Sequence, residues 1–158
     1  MTINELQDEI IEEFEGFDDW MDKYQMLIDL GNDLEPLPEQ YKTEQNLIDG
    51  CQSRVWVQCD LVPYPTSFQK ENENEGEGSE NRPSVMHLQA DSDALIVKGI
   101  VALLLRVLND HTPKEILSAD LYFIERIGLR EHLSPTRSNG LLAMVRQIRA
   151  YALAFSES

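Results

Sequence analysis

The apolar residues at the start of the chain recur every three or four positions, a pattern that predicts two amphipathic helices. Thr2 and Glu5 have the spacing of a capping box, so we expect the first helix to begin there. Asp18 or Asp19 can open the second helix, and Gly31 is expected to end it. The apolar face of this second helix, which we expect to lie in the core, consists of Trp20, Tyr24, Leu27 and Ile28.

Hydrophobic and polar residues alternate between residues 53 and 62, which predicts a half-buried strand. A second strand is predicted at about residues 84–90, paired antiparallel with the first. The segment 32–49 that precedes both strands is rich in loop formers, and an irregular segment of this length commonly carries a site. The residues expected on the buried face of the first strand are Val55, Val57, Cys59 and Leu61.

The second half of the chain is predicted to be helical. Asp91, Ser92 and Asp93 are candidate N-caps for a long apolar helix at 95–108, which should be the central helix of the core. Three more helices are expected: one after a capping box at 112–115, a short one at 121–127 that stops at Gly128, and a last one after a loop at 134–140. This order indicates an α+β fold with two layers, a small antiparallel sheet packed against helices.

The length of 158 residues is sufficient for one domain with its own core, which we expect to span residues 1–158. Residues 71–80 are acidic, contain glycine and include no apolar residue. Such a segment cannot bury enough surface to offset the entropy lost on ordering. We therefore expect a mobile acidic hairpin loop at about 64–83, between the two strands.

The net charge of −16 is concentrated near the N-terminus, because residues 1–50 contain fifteen Asp and Glu but only two Lys. An acidic surface repels phosphate backbones, so we expect no nucleic-acid partner. The charge either keeps the protein soluble or steers it toward a basic partner protein. Without an 18-residue apolar run, a hydrophobic signal core or a disulfide framework, the sequence predicts a cytoplasmic protein and no membrane helix.

Cys51 is the main candidate for chemistry. It follows Gly50, which has no Cβ to obstruct another molecule, at the point where a polar loop gives way to a strand. Cys59 lies about 26 Å further along an extended segment, whereas a disulfide needs Cα atoms within about 7 Å. We therefore expect no bridge between them, and we expect Cys59 to pack in the core.

Other kinds of site have weaker signals. The histidines are scattered, and neither a CxxC nor a paired-histidine spacing indicates a metal site. Glycine patterns that bind nucleotide phosphates are also missing. A histidine or an arginine could activate Cys51 as the nucleophile of a hydrolase, but the sequence places none beside it. The histidines are His87, His111 and His132.

Three motifs occur along the chain: GCQSRVW at 50–56, ADSDALIVKG at 90–99 and HLSPTRSNGL at 132–141. Together with aromatic and apolar positions at 20–31, they resemble the SufE family of sulfur-acceptor proteins, in the same order and over about residues 14–153. The resemblance implies an α+β fold shared with the IscU-type cluster scaffolds. One departure is that residues 64–83 are longer than the short hairpin expected in this family.

The resemblance also implies a function in iron–sulfur cluster assembly. Cys51 matches the family cysteine that takes sulfane sulfur, as a persulfide, from a SufS-type cysteine desulfurase. The protein is then expected to stimulate that enzyme and to pass sulfur toward a downstream cluster scaffold. Pyridoxal phosphate belongs to the desulfurase, so this chain is expected to bind no cofactor and no metal, and not to act as a stand-alone enzyme.

Further site residues follow from the same resemblance. Arg137 matches a family arginine on the loop near the site, where it would stabilise charge or dock the partner. Asp93 matches a family aspartate that is either functional or only the N-cap of the core helix. The other residues expected to support the site are Gly50, Gln52, Ser53, Arg54 and Lys98. The alternative function is a non-catalytic module that activates the desulfurase allosterically, with Cys51 incidental.

Overall fold

The structure, a computed structural model, describes residues 2–48, 54–63, 84–129 and 135–156, and for residues 135–139 the backbone only. Six helices and two strands lie within these ranges, which confirms the α+β class. The helices are α1 (Ile3–Glu15), α2 (Trp20–Asp33), α3 (Leu95–Leu108), α4 (Pro113–Ser118), α5 (Phe123–Arg126) and α6 (Pro135–Ser156). The strands are β1 (Val55–Val62) and β2 (Val85–Ser92), and a single 3₁₀ turn spans Glu39–Tyr41. The loop predicted at 64–83 lies outside the described residues.

The two strands pair antiparallel, with Val55 opposite Ser92 and Val62 opposite Val85. The second strand thus extends two residues further than its predicted end at Ala90. The predicted alternation in β1 holds at its start, where Val55 is buried. It fails at Leu61, which is 38% exposed, so the covered part of the strand ends before the strand does.

Local signals set the starts of three helices as predicted. In the capping box of α1, the Glu5 N–H donates to Thr2 Oγ1 at 3.1 Å and the Thr2 N–H donates to Glu5 Oε1 at 3.0 Å. Asp19 caps α2 by accepting the Met21 N–H at 3.1 Å. The box that begins at Thr112 opens α4 in the same way. These caps need only neighbouring residues, which is why the sequence predicts them correctly.

The predicted stop of α2 at Gly31 is wrong, because the helix continues to Asp33. Gly31 instead packs against α3: a Cβ at this position would lie 2.9 Å from the Gly99 backbone nitrogen. The absence of a side chain lets the two helices approach backbone to backbone. Gly31 is therefore a packing residue rather than a helix terminator.

The central helix of the core is α3, as predicted, and most of its residues are buried. It packs against α2 and β2, and Arg106 joins it to α1 through Glu9 and Glu13. Gln7, which is fully buried on α1, donates to the Asp120 carbonyl at 3.0 Å and accepts the Phe123 N–H at 3.1 Å. Helix α1 is thus tied to both the central helix and the segment before α5.

Two predictions about helix starts are wrong. The N-cap of α3 is Ala94, whose methyl side chain cannot accept a hydrogen bond, rather than one of the three predicted residues. The carboxylates of Asp91 and Asp93 accept other N–H groups, and Ser92 Oγ accepts the Ala94 N–H. Helix α6 begins at Pro135, a residue suited to a first helical position, so the backbone of Arg137 is helical rather than part of a loop. By contrast, the chain leaves α5 as predicted at Gly128, whose φ of 82° suits glycine.

Candidate functional site

Residues 46–48, which precede β1 in the sequence, lie beside the first residues of β1, on the edge that faces away from β2. The Ile48 N–H donates to the Val55 carbonyl at 2.8 Å, and the Val57 N–H donates to the Asn46 carbonyl at 2.9 Å. Residues 46–48 and 55–57 therefore lie antiparallel, and residues 49–53 join them. Gly50, Cys51, Gln52 and Ser53 lie outside the described residues.

Asp93 and Arg54 are joined by two hydrogen bonds at the start of β1. The Arg54 N–H donates to Asp93 Oδ1 at 3.0 Å, and the Asp93 N–H donates to the Arg54 carbonyl at 3.2 Å. Arg54 is the first described residue after residues 49–53. These two hydrogen bonds therefore fix Arg54 to the residue that precedes the N-cap of α3. Asp93 is thus not a helix cap, and the structure brings these two predicted residues together.

Asp91, which the sequence predicts only as a possible N-cap, is 5% exposed. Its carboxylate accepts the N–H groups of Ser92 at 2.8 Å and Leu37 at 3.3 Å. It also lies 3.4 Å from Lys98 Nζ and 3.6 Å from Lys42 Nζ. One carboxylate therefore joins the end of β2, the loop after α2, the 3₁₀ turn and α3. An aspartate at the end of a buried strand is the sequence signal that points to such a role.

The hydrogen bonds to Asp91 outweigh the cost of its burial. Burial by itself raises the pKa of this carboxyl, but the N–H groups of Ser92 and Leu37 and the ammonium of Lys98 lower the pKa to a net value below the ordinary one. The carboxylate is therefore charged at neutral pH, and it can hold both lysines in place.

The two lysines at Asp91 are positive groups near the base of the 46–57 hairpin. Lys42 Nζ lies 5.4 Å from the centre of the Trp56 ring, and Trp56 is opposite Asp91 in the sheet. Lys98, a predicted site residue, thus lies in this cluster together with Lys42, which the sequence does not predict. Arg54 has an exposed position, whereas the side chain of Arg137 lies outside the described residues.

Cys59 is partly buried against the core, as predicted. Burial, together with the neighbouring charge of Asp60, raises the pKa of the Cys59 thiol to about 12. The thiol is therefore protonated at neutral pH, when a nucleophile would have to be a thiolate. We therefore expect Cys59 to act as a packing residue.

The two described histidines lie toward the other end of the sheet. His87 is opposite Asp60 and places Nδ1 3.7 Å from Asp110 Oδ1, and His111 is buried beside the Asn109 carbonyl. His87 precedes Asp93 by six residues of extended chain, which is roughly 20 Å. Within the described ranges, no three acidic, histidine or cysteine side chains come together as a metal site would require.

Comparisons with known proteins agree with this architecture. A solved structure, the solution structure of a hypothetical protein from Thermus thermophilus, superposes with a TM-score of 0.69 and covers 97% of each chain. Its sequence is 21% identical to this one, so the likeness concerns the fold. None of the described helices has the length and apolar character needed to cross a membrane. A family model for SufE, described as an Fe-S metabolism associated domain, matches residues 8–152. The chain therefore belongs to the SufE family.

Proposed function

We propose that this protein accepts sulfane sulfur from a SufS-type cysteine desulfurase as a persulfide on Cys51 and passes it toward iron–sulfur cluster assembly. The association of the family with Fe-S metabolism supports the pathway. The observation that carries the proposal is that the thiol of the second cysteine, Cys59, is protonated at neutral pH. The chain has two cysteines, and the thiol of Cys59 is partly buried with a pKa of about 12, which leaves Cys51 as the candidate thiolate.

The transfer is a thiol exchange that needs no external oxidant. The Cys51 thiolate attacks the outer sulfur of the persulfide on the desulfurase cysteine, and a new S–S bond forms. The S–S bond within the desulfurase persulfide breaks, and the electron pair leaves with the desulfurase cysteine as a thiolate. The outer sulfur now belongs to Cys51, so one persulfide and one thiolate exist before and after the step.

The surroundings of residues 49–53 support this chemistry. Cys51 precedes Arg54 by three residues, and three residues of extended chain reach at most about 11 Å. Positive groups favour a thiolate, and Arg54, Lys98 and Lys42 are the described cations at this end of the sheet. We infer that they raise the thiolate fraction of Cys51.

The other predicted residues have roles around the thiolate. Gly50, Gln52 and Ser53 flank Cys51 in the sequence and are proposed to support it, and Arg137, whose backbone lies in the first turn of α6, is proposed to contribute charge. Asp93 and Asp91 act indirectly, because they hold Arg54 and the two lysines in position. The pyridoxal phosphate that releases sulfur from free cysteine belongs to the desulfurase, and a scaffold protein in the same cytoplasm takes the sulfur onward.

Intact-protein mass spectrometry tests the proposal. The protein is incubated with the desulfurase, pyridoxal phosphate and free cysteine, without reductant. We expect added mass of one or more sulfur atoms, removable by a thiol reductant, in the wild type and in Cys59→Ser, and none in Cys51→Ser. Cys59→Ser is the matched control, because it removes the other thiol of the chain.

The same experiment separates the proposal from the alternative, an allosteric activator. If Cys51→Ser still stimulates turnover of the desulfurase as strongly as the wild type does, the sulfur relay is wrong and the activator is right. A stand-alone thiol hydrolase has no support from the two described histidines, because His87 and His111 lie toward the other end of the sheet from Arg54. His132 lies outside the described residues.

A further inference from the structure

Among the described residues, the outer edge of β2, which faces away from β1, leaves Ala90 unpaired. The backbone groups of residues 86, 88, 90 and 92 point to this edge, since residues 85, 87, 89 and 91 face β1. Met86 exchanges backbone hydrogen bonds with the 110–111 turn, with both distances 2.9 Å. Leu88 is paired by the Asn109 side-chain amide, which accepts its N–H at 2.9 Å and donates to its carbonyl at 3.2 Å.

The open position is Ala90. The N–H of Ser92 is taken by Asp91 Oδ1, but the N–H and carbonyl of Ala90 have no hydrogen-bond partner among the described residues. Ala90 is 2% exposed, and buried backbone groups in proteins are nearly always paired with protein, water or ligand. A donor and an acceptor are thus available together at one buried point of the strand edge.

Ala90 lines a groove of about 370 Å³ between the edge of β2 and α3. The groove has an apolar side formed by Leu34, Ala102 and Leu105, and the carboxylates of Glu35 and Asp110 also line it. This volume lies in the range of small-molecule sites. Because the Asn109 side chain already pairs with Leu88, the neighbouring position on this edge, the groove suits a short ligand rather than a strand that passes through.

We propose that this groove binds a small α-amino acid with an apolar side chain. The carboxylate of such a ligand accepts the Ala90 N–H and can also receive the side-chain amide of Gln89, which lines the same groove. The ammonium donates to the Ala90 carbonyl and is attracted by Glu35 and Asp110. The apolar side chain contacts Ala102 and Leu105.

The chemistry of the groove excludes related molecules. A dicarboxylic amino acid is disfavoured, because its second carboxylate meets Glu35 and Asp110. Arg106, which also lines the groove, does not cancel this repulsion, since Glu9 and Glu13 of α1 already pair with its guanidinium. The proposal goes beyond sulfur transfer and does not depend on it, because Cys51 has no part in the contacts.

The test is an NMR titration of the ¹⁵N-labelled full-length protein with L-valine, followed through the backbone amides. We expect saturable shifts of the amides of Ala90, Leu105 and Asn109, and a several-fold weaker response to L-glutamate. Acetate and methylamine, each with one of the two charged groups, are the chemical controls and should produce no saturation.

Three variants make the titration specific. Ala102→Leu fills the groove and should abolish saturation, whereas Ala154→Leu, at an exposed position of α6, should leave it unchanged. Glu35→Gln, an exposed substitution with little risk to folding, should weaken binding several-fold. Shifts that rise linearly with L-valine, that also occur with acetate alone, or that persist in Ala102→Leu would overturn the proposal and assign the open groups of Ala90 to water.

Discussion

A Cβ atom on Gly99 would lie 2.1 Å from the carbonyl oxygen of Leu27, so the backbones of α2 and α3 are in direct contact at this point. Because the obstructing atoms belong to the backbone of another helix, no side-chain rotation can relieve the clash. This contact holds α2 against the central helix.

We predict that Gly99→Ala lowers the free energy of unfolding by about 1–3 kcal/mol, although alanine is the better helix former. For a chain of this size, each kcal/mol should lower the Tm by about 2–4 °C. Gly16→Ala is the control, because a Cβ there would make an ordinary contact at 3.6 Å with the Glu13 carbonyl. Thermal unfolding measures both variants, and equal stability would contradict the packing role of Gly99.

Asp91→Asn should destabilise the protein in a pH-dependent way. Burial raises the pKa of Asp91, but the N–H groups of Ser92 and Leu37 and the charge of Lys98 together lower it below its ordinary value of 3.8. A lowered pKa stabilises the folded state above the unfolded pKa, and the gain is lost as the pH falls through the folded pKa. We expect a loss of about 1–3 kcal/mol at pH 7, which shrinks below about pH 4.

Urea unfolding of the wild type and Asp91→Asn from pH 7 to pH 3 tests this prediction. Asp60→Asn is the matched control, since Asp60 is exposed on β1. A stability difference that is constant over the whole pH range would show that Asp91 acts through its shape alone.

Asp93→Ala should loosen the start of β1 with little effect on overall stability. The variant removes the acceptor of the Arg54 N–H, so the Arg54 amide should exchange with solvent faster, and the cost should be about 1 kcal/mol. Hydrogen exchange of the Arg54 amide measures the effect, and Asp93→Asn should restore protection because its side-chain oxygen can still accept. Unchanged exchange in Asp93→Ala would mean that the Asp93 carboxylate does not hold the strand end.

Cys59 should not react in the folded protein. Its thiol has a pKa of about 12 because of burial and the charge of Asp60, so almost no thiolate exists at pH 8. In Cys51→Ser, which has Cys59 alone, we expect Ellman's reagent to react only after unfolding in guanidinium. Rapid reaction of the folded variant would contradict the assignment of Cys51 as the thiolate.

Deletion of residues 70–81 should leave sulfur acceptance intact. Val62 and Val85 are paired at the end of the sheet, and the eight residues left between Pro63 and Ser84 can still connect the strands. The shorter connection should raise the free energy of unfolding by about 0.8 kcal/mol through loop-closure entropy. Mass spectrometry of the persulfide and urea unfolding measure the two effects, and a large loss of acceptance would assign this segment to partner binding.

The sequence correctly predicts those features of the fold that depend on residues close together in the chain. The capping boxes at Thr2 and Thr112 and the alternation at the start of β1 depend on contacts within a few positions. The function of Gly31 was not predictable in this way, because it depends on Gly99, which is distant in the sequence but adjacent in space. Whether Gly31 ends the helix or packs against another helix is decided by its tertiary contacts.

The same distinction applies to the site. The position after Gly50 points to Cys51, and the resemblance of motifs adds Arg54, Asp93 and Lys98. The partners of Asp93 and Asp91, by contrast, are known only from the fold. The carboxylate of Asp91 reaches Leu37, which lies 54 positions away, and Lys42 enters the site only through this contact and Trp56. Pro135 was a local signal for an earlier start of α6, which the neighbouring loop-forming residues obscured.

The covered edges of the sheet limit its association with other chains. Asn46 and Ile48 occupy the β1 edge at one end, and the 109–111 turn occupies the β2 edge at the opposite end. Along the described strands, another chain would therefore meet at most two successive open positions, too few for strand addition. The small sheet is protected from edge-to-edge aggregation, and any protein that docks here has to recognise side chains rather than backbone.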